Sequence, residues 1–297
     1  MSDSSMVGRD LVFLCADTGA VVAVTWTGDE RPALERAVVF LASGQTYWVD
    51  PASGGLRAAL AVLDRRAGGR YDLRLSAQAR PIAAPGRPID RETTAGPYVP
   101  VGIDIAFEPA SQPLVLAPGA PSAERVALAR GTGSVAVGSV IHRVEGSAWS
   151  AAGSGGPADC RARAVFQDGS ALFVSAAPSG PVAALVRNTR IRAVALQGFA
   201  VRGAESGRLG RTVSWTGDGR SPAGATAEIR DPDQRLTVTS ADPAGPDRLS
   251  WSCAPFVFVR SGITGLGLVE RRTRVAPPDS ATAATAAEPA DELPDPF

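Results

Sequence analysis

The sequence predicts an all-β fold, a sandwich or barrel organised as two domains. Three observations carry this. Turn signals built from Gly, Pro and Asp recur along the whole chain, and no long stretch keeps a helical period. Between the turns lie many short segments of alternating apolar and polar residues, the pattern of half-buried strands. At 297 residues the chain is longer than a typical single domain and long enough for two real cores.

Taken in order, alternating segments occupy residues 11–14, 20–26, 37–41, 46–49, 71–77 and 102–108. Residues 55–66, rich in Ala, Leu and Arg, are the one helix candidate, with an irregular crossover as the alternative. Residues 109–123 are too proline-rich for a central strand and read as a linker. A hairpin follows over residues 130–146. Gly138-Ser139 suits a two-residue type II′ turn, which pairs Val137 with Val140 and Val135 with His142. His142 then shares a face with Val140 and Val144. Further strands are expected at 161–166, 171–176, 183–187, 190–196, 198–202, 210–215, 223–230, 235–239, 248–253, 256–260 and 265–274. The Asp168-Gly169 loop between the first two is the strongest hairpin signal. The organisation read from this is a flexible start (1–8), a first β domain (9–108), the linker (109–123), a second β domain (124–276) and a flexible acidic tail (277–297). Val24-Thr25-Trp26-Thr27-Gly28-Asp29 echoes Val213-Ser214-Trp215-Thr216-Gly217-Asp218, by duplication of a β unit or by coincidence.

Composition excludes several classes. The chain is 44% hydrophobic and 20% charged with zero formal net charge, so no overall field favours nucleic acid or an anionic membrane. All 30 basic residues are arginine, which removes lysine Schiff-base chemistry. Cys15, Cys160 and Cys253 are scattered and His142 is the sole histidine, which disfavours a disulfide framework and a zinc or non-haem iron centre. Neither a signal peptide nor a membrane span is recognised, so a soluble cytoplasmic protein without cofactor, metal or stable membrane insertion is expected.

Residues 125–137 (Arg-Val-Ala-Leu-Ala-Arg-Gly-Thr-Gly-Ser-Val-Ala-Val) resemble the opening of the second domain in two-domain lipocalin-like (calycin) proteins. That group includes the carotenoid 1,2-hydratases and the fungal decalin-forming Diels-Alderases. Val144-Glu145-Gly146-Ser147-Ala148-Trp149, Phe166-Gln167-Asp168-Gly169-Ser170-Ala171-Leu172 and Gly265-Leu266-Gly267-Leu268-Val269-Glu270-Arg271 follow in the family's order, and residues 101–108 are similar to its last strand before the linker. One departure is large. The family's His-Ser-Trp-Gly-x-Arg-Asp-Trp segment is here residues 147–153, where only Trp149 matches, so roles of the lost histidine, arginine and aspartate do not transfer. The resemblance implies two β-barrel domains packed side by side and cofactor-free chemistry on large apolar polyenes, terpenoids or polyketides.

His142 is the candidate catalytic acid–base group, with a core histidine satisfied by one backbone bond as the alternative. Trp149 offers an aromatic wall or interface packing. Tyr71 and Tyr98 offer a phenol to a substrate oxygen, or are structural. Trp26, Trp215 and Trp251 alternate in phase with apolar neighbours and read as core, with Trp251 carried forward as substrate-contacting. Asp72, Asp104 and Glu228 are expected to face solvent, Asp168 to serve its turn, and Glu270 to pair with Arg271-Arg272 at the surface. No paired carboxylates, nucleophile elbow or nucleotide loop are recognised. The expected function is a cofactor-independent cyclase, isomerase or hydratase acting on a bulky apolar intermediate. A non-catalytic lipid or terpenoid carrier is the alternative, and a structural partner of pathway enzymes a third reading.

Overall fold

The computed structural model describes residues 10–27, 33–49, 60–82, 89–90, 97–117, 123–153, 160–177, 180–202, 212–217, 224–230, 234–241 and 248–275. Among these, the protein is all-β apart from a 3-10 turn at Ala67–Gly69 and 3-10 conformation at Gln234. In the first sheet, β1 (Asp10–Cys15), β2 (Ala20–Thr27), β3 (Ala33–Phe40), β4 (Thr46–Val49), β6 (Tyr71–Pro81), β8 (Val99–Pro109), β10 (Glu124–Val137) and β11 (Val140–Gly153) pair in that order. β11 then pairs back to β1, closing an antiparallel barrel. β5 (Leu60–Arg65) lies on the first half of β6, and β9 (Leu114–Leu116) on the base of β10.

The second sheet closes the same way. Its path is β12 (Cys160–Phe166), β13 (Ala171–Ala177), β14 (Gly180–Arg187), β15 (Arg190–Arg202), β16 (Thr212–Gly217), β17 (Ala225–Ile229), β19 (Arg248–Arg260) and β20 (Ile263–Val275), and β20 returns to β12. β18 (Leu236–Ala241) pairs with the base of β19, and β7 (Ile89–Asp90) runs parallel to β18.

Eight strands make a barrel whose interior is filled by side chains or holds one small ligand. Phe13, Trp26, Tyr71, Ile105 and Phe107 belong to the first interior; Phe166, Trp215, Phe256 and Phe258 to the second. A third apolar cluster lies between the barrels, joining Val12, Leu14, Phe40, Trp48, Leu128 and Trp149 to Phe173, Val186, Trp251, Cys253 and Leu268. Strands on this seam are covered on both faces. β1 is therefore buried along its whole length and reads as an apolar run, whereas β6 and β8 alternate between core and solvent. At the far edge of the seam, the Arg230 guanidinium donates to the Gly19 carbonyl at 2.6 Å and to the Gln234 side-chain oxygen at 2.6 Å. The Gln234 amide donates to the Leu41 carbonyl, tying the turns of one barrel to the other.

The central hairpin has the expected register, Val137 opposite Val140 and Val135 opposite His142. Gly138 has φ +58°, and Ser139 is not among the positive-φ residues, which matches a type II′ turn. Its place in the fold differs from expectation. The hairpin does not open the second barrel; it closes the first, because β10 pairs with β8 and β11 with β1. The stretch expected as a linker holds β9, with Leu116 buried in the seam. The helix candidate at 55–66 contains strand β5, since pairing to β6 outweighs the helical preference of Ala and Leu. The two segments at 190–196 and 198–202 are one strand with an irregularity between Leu196 and Gly198. Asp72 is buried rather than exposed, covered by Arg66, to which it pairs, and by Arg74 at 3.6 Å. Trp26 lies on the second strand of its barrel and Trp215 on the fifth, so their echo is not a structural repeat, although the two barrels share one strand order. The expected flexible start at 1–8 and acidic tail at 277–297 lie outside the described residues.

Candidate functional site

One end of the seam is polar. Strand pairing lays Arg36, Thr25, Asp10 and Ala151 side by side across the first barrel, with Glu124 two residues further along β10. On the second barrel the matching row is Ser175, Arg161, Glu270 and Cys253, flanked by Arg163 on β12 and by the opposed pair Trp251 and Arg272. Alternation explains the arginines. Ala162 and Ala164 point into the second barrel, so Arg161 and Arg163 point out of it, into the seam.

The charges interlock across the seam. Arg161 bridges two carboxylates of the first barrel, Nη1 to Asp10 Oδ2 at 3.0 Å and Nη2 to Glu124 Oε1 at 3.0 Å. Arg163, 0% exposed, pairs with Glu270 and lies 3.6 Å from Asp10. The Arg36 guanidinium sits 4.5 Å above the Trp251 ring, and Trp48 packs on Trp251 at 5.6 Å.

These surroundings drive the two carboxyls on Arg161 in opposite directions. Burial alone would push Asp10 up, but the guanidinium groups of Arg163 and Arg161 together hold it below the ordinary 3.8. Burial wins at Glu124, which is raised above the ordinary 4.5 despite Arg161 and Arg163 and despite a hydrogen bond with the Ser175 side chain. Burial, reinforced by Glu270, pushes the Cys253 thiol well up, which keeps it unreactive. Arg272 is lowered by burial and by its neighbour Arg36. Paired titratable groups pushed apart by their environments are what acid–base chemistry uses.

No family model matches the sequence, and no curated protein matches it at a significant level. Solved structures do match. An AttH protein from Nitrosomonas europaea superposes with a TM-score of 0.52 at 17% identity, over 90% of this chain and 92% of that one. The chain shares the fold of that structure. CghA aligns with a TM-score of 0.45 at 12% identity, over 90% of this chain and 87% of its own. A kievitone hydratase from Nectria haematococca aligns at 0.47 and 12% identity, over 91% and 90%. The two-barrel fold agrees with what the sequence resemblance implied.

The five site residues expected from sequence fall in three places. Trp149 and Trp251 are in the seam. Trp149 is fully buried, donates its indole N–H to the Ala164 carbonyl at 3.3 Å and packs on Phe173 at 5.8 Å. Tyr71 lies inside the first barrel, stacked on Phe107 at 4.9 Å; its hydroxyl is buried without a hydrogen-bond partner, and burial pushes the phenol up. His142 and Tyr98 are at the other end of that barrel. His142 is half-buried near the hairpin tip, nine residues along β11 from Ala151, the strand partner of Asp10. At 3.3 Å per residue that is about 30 Å. Among the described residues, the His142 side chain makes no hydrogen bond or ion pair. Tyr98 is exposed, with Arg80 5.6 Å from its ring.

Sequence reasoning missed Asp10, Glu124, Arg161 and Arg163, and placed Glu270 at the surface. Glu270 is buried and pairs with Arg163 across the β12–β20 ladder. Arg161-Ala162-Arg163-Ala164 alternates as a solvent-facing strand does, and nothing local distinguishes solvent from a second barrel.

Proposed function

We propose that this protein is a cofactor-independent enzyme, a cyclase, isomerase or hydratase, acting on a bulky apolar small molecule at the polar end of the seam. One observation carries the reading: Glu124 and Asp10 share the Arg161 guanidinium while burial raises one and neighbouring arginines lower the other. The reading assigns acid–base work to this pair rather than to His142, because charge and burial converge here.

In this reading Glu124 keeps its proton and acts as the acid toward an alkene or carbonyl of the substrate. Asp10 stays ionised, held in place by Arg161, and its carboxylate steadies the positive charge that protonation creates. In a hydration, water then adds to the cation and its spare proton returns to the Glu124 carboxylate, so one water is consumed and the enzyme is restored. In a cyclisation the same proton is lent and recovered, with no change in mass. The aromatic side chains Trp48, Trp251 and Phe173 supply apolar walls against which a flexible polyene folds.

A carrier reading has its own support in the Tyr71 hydroxyl, an orphan polar group among the apolar side chains inside the first barrel. The test uses extract from a strain lacking this protein. Purified wild-type protein is expected to convert an accumulated compound to a product of equal mass or one water heavier, while Glu124→Gln binds the compound without converting it. Full conversion by Glu124→Gln removes the acid role, and binding without conversion by the wild type leaves the carrier.

A further inference from the structure

We propose that the seam takes the carboxylate of an otherwise apolar ligand, held by Arg36 of the first barrel and by Arg272 and Trp251 of the second. The proposal rests on the reading of the seam as the ligand site and names the group that anchors the ligand there.

The first support is an imbalance of hydrogen bonding. Among the described residues of the seam, the buried side-chain atoms lacking a hydrogen-bond partner include Arg36 Nε and Nη2, Arg163 Nε and Nη2, and Trp251 Nε1, all donors. The matching orphan acceptor is Asp10 Oδ1. Buried polar groups in native proteins are rarely left unmet, so a surplus of donors marks a place where an acceptor binds.

Placement is the second support. Trp251 and Arg272 stand directly opposite one another on β19 and β20, so their side chains project from one face. Arg36 reaches over the same Trp251 ring from the facing barrel. Only one of its nitrogens is engaged, Nη1 with Glu35 at 2.6 Å, which leaves the other edge of the guanidinium open. Arg36 over the Trp251 ring and Arg272 opposite it thus bring two guanidinium-bearing residues to one indole, donors that suit the two oxygens of a carboxylate.

Charge decides between a monoanion and a phosphate. Arg36, Arg161, Arg163 and Arg272 face Glu35, Asp10, Glu270 and Glu124. Burial raises Glu124, which tilts that balance toward positive charge and favours a single carboxylate over a phosphate dianion. Trp48 and Trp251 beside the cluster continue into the apolar seam, where a hydrocarbon chain lies out of water.

The experiment titrates the full-length protein with cis-parinaric acid, a fluorescent polyene carboxylate, and with its methyl ester, at neutral pH. The acid is expected to bind at least about tenfold more tightly than the ester, the usual weight of a charge-assisted hydrogen bond. Arg36→Gln and Arg272→Gln are each expected to erase that preference while leaving ester binding unchanged. Two variants are used so that the test does not hang on the folding of either one, which near-UV circular dichroism reports. Equal binding of acid and ester overturns the carboxylate site but leaves the apolar seam reading intact. A preference surviving in both folded variants also overturns it, and binding of neither probe overturns both.

Discussion

The two long hairpins, β10–β11 and β19–β20, hold equivalent places in their barrels. Each supplies the last two strands of the meander, pairs back to the first strand, and carries an extra strand on its base, β9 or β18. Each also has a glycine where the closing strand presses on the first. A Cβ at Gly146 would run into the Leu14 carbonyl oxygen, and one at Gly267 into the Arg163 carbonyl oxygen. Their side chains differ. The base of β10–β11 brings Val126, Leu128, Trp149 and one carboxylate, Glu124, to the seam, while the base of β19–β20 brings Trp251, Glu270 and Arg272. Their tips differ too. Val140 and Ile141 are 55% and 69% exposed, whereas Arg260 is buried over the Phe166 ring at 4.6 Å and donates to Ser170. Backbone closure is thus common to both barrels, and buried charge is concentrated where their bases meet.

The comparison can be broken most forcefully at Arg163, which serves both barrels. Arg163→Met leaves Glu270 and Asp10 buried beside a lost cation, and is expected to cost about 3–5 kcal/mol in urea unfolding. A cost under about 1 kcal/mol would show that the carboxylates find solvent without it.

Gly146→Ala and Gly267→Ala probe whether closure is equivalent. Each is expected to cost about 1–3 kcal/mol by forcing the strands apart, with similar values in the two barrels. A large cost at one site and none at the other would end the equivalence.

Asp10 and Glu124 sharpen the seam side through pH. The folded-state pKa of Asp10 is lowered, so its stabilisation is present above the ordinary 3.8 and lost as pH falls through the lowered value. The gap in Tm between wild type and Asp10→Asn is therefore expected to be widest near neutrality and to close in acid. Glu124 is raised, so its contribution is complete below the ordinary 4.5 and lost as pH rises through the raised value. Glu124→Gln, unable to ionise, is expected to gain on wild type as pH climbs above 4.5. Parallel pH profiles for the two variants would contradict their opposed environments.

The smallest effect is expected at the exposed tip. Ile141→Ser should change stability by no more than about 0.5 kcal/mol. Arg260→Ala, at the buried counterpart, should cost roughly 1–3 kcal/mol by stripping Ser170 of its donor.

Much of the fold was legible because its signals are local. The Gly138-Ser139 turn, the register of His142 against Val135 and the Asp168-Gly169 hairpin follow from turn chemistry and period-two alternation. The site was not legible for the same reason. Asp10, Glu124 and Arg161 come from three distant strands, and only closure of the first barrel together with its packing on the second brings them within 3.0 Å. Arg161 and Arg163 carry the pattern of a solvated face, and so does Glu270, because a strand's outer face reads alike toward water or toward a second barrel. The resemblance agreed with the two-barrel fold, while the assignment of the hairpin to the second barrel failed because pairing partners are not written in local pattern.

β7 has a consequence for how the chain is made. Its two residues come from between β6 and β8 of the first barrel, yet they lie against β18 of the second. During synthesis the first barrel has all its strands once residue 153 has emerged, but β7 must wait for residues 236–241 before its pairing exists. The strap's pairing therefore exists only when both halves are present, and it ties the segment between β6 and β8 to the second barrel. Cutting the chain between residues 153 and 160 would leave each piece short of a partner strand, so the two barrels are one product of folding rather than two modules on a string.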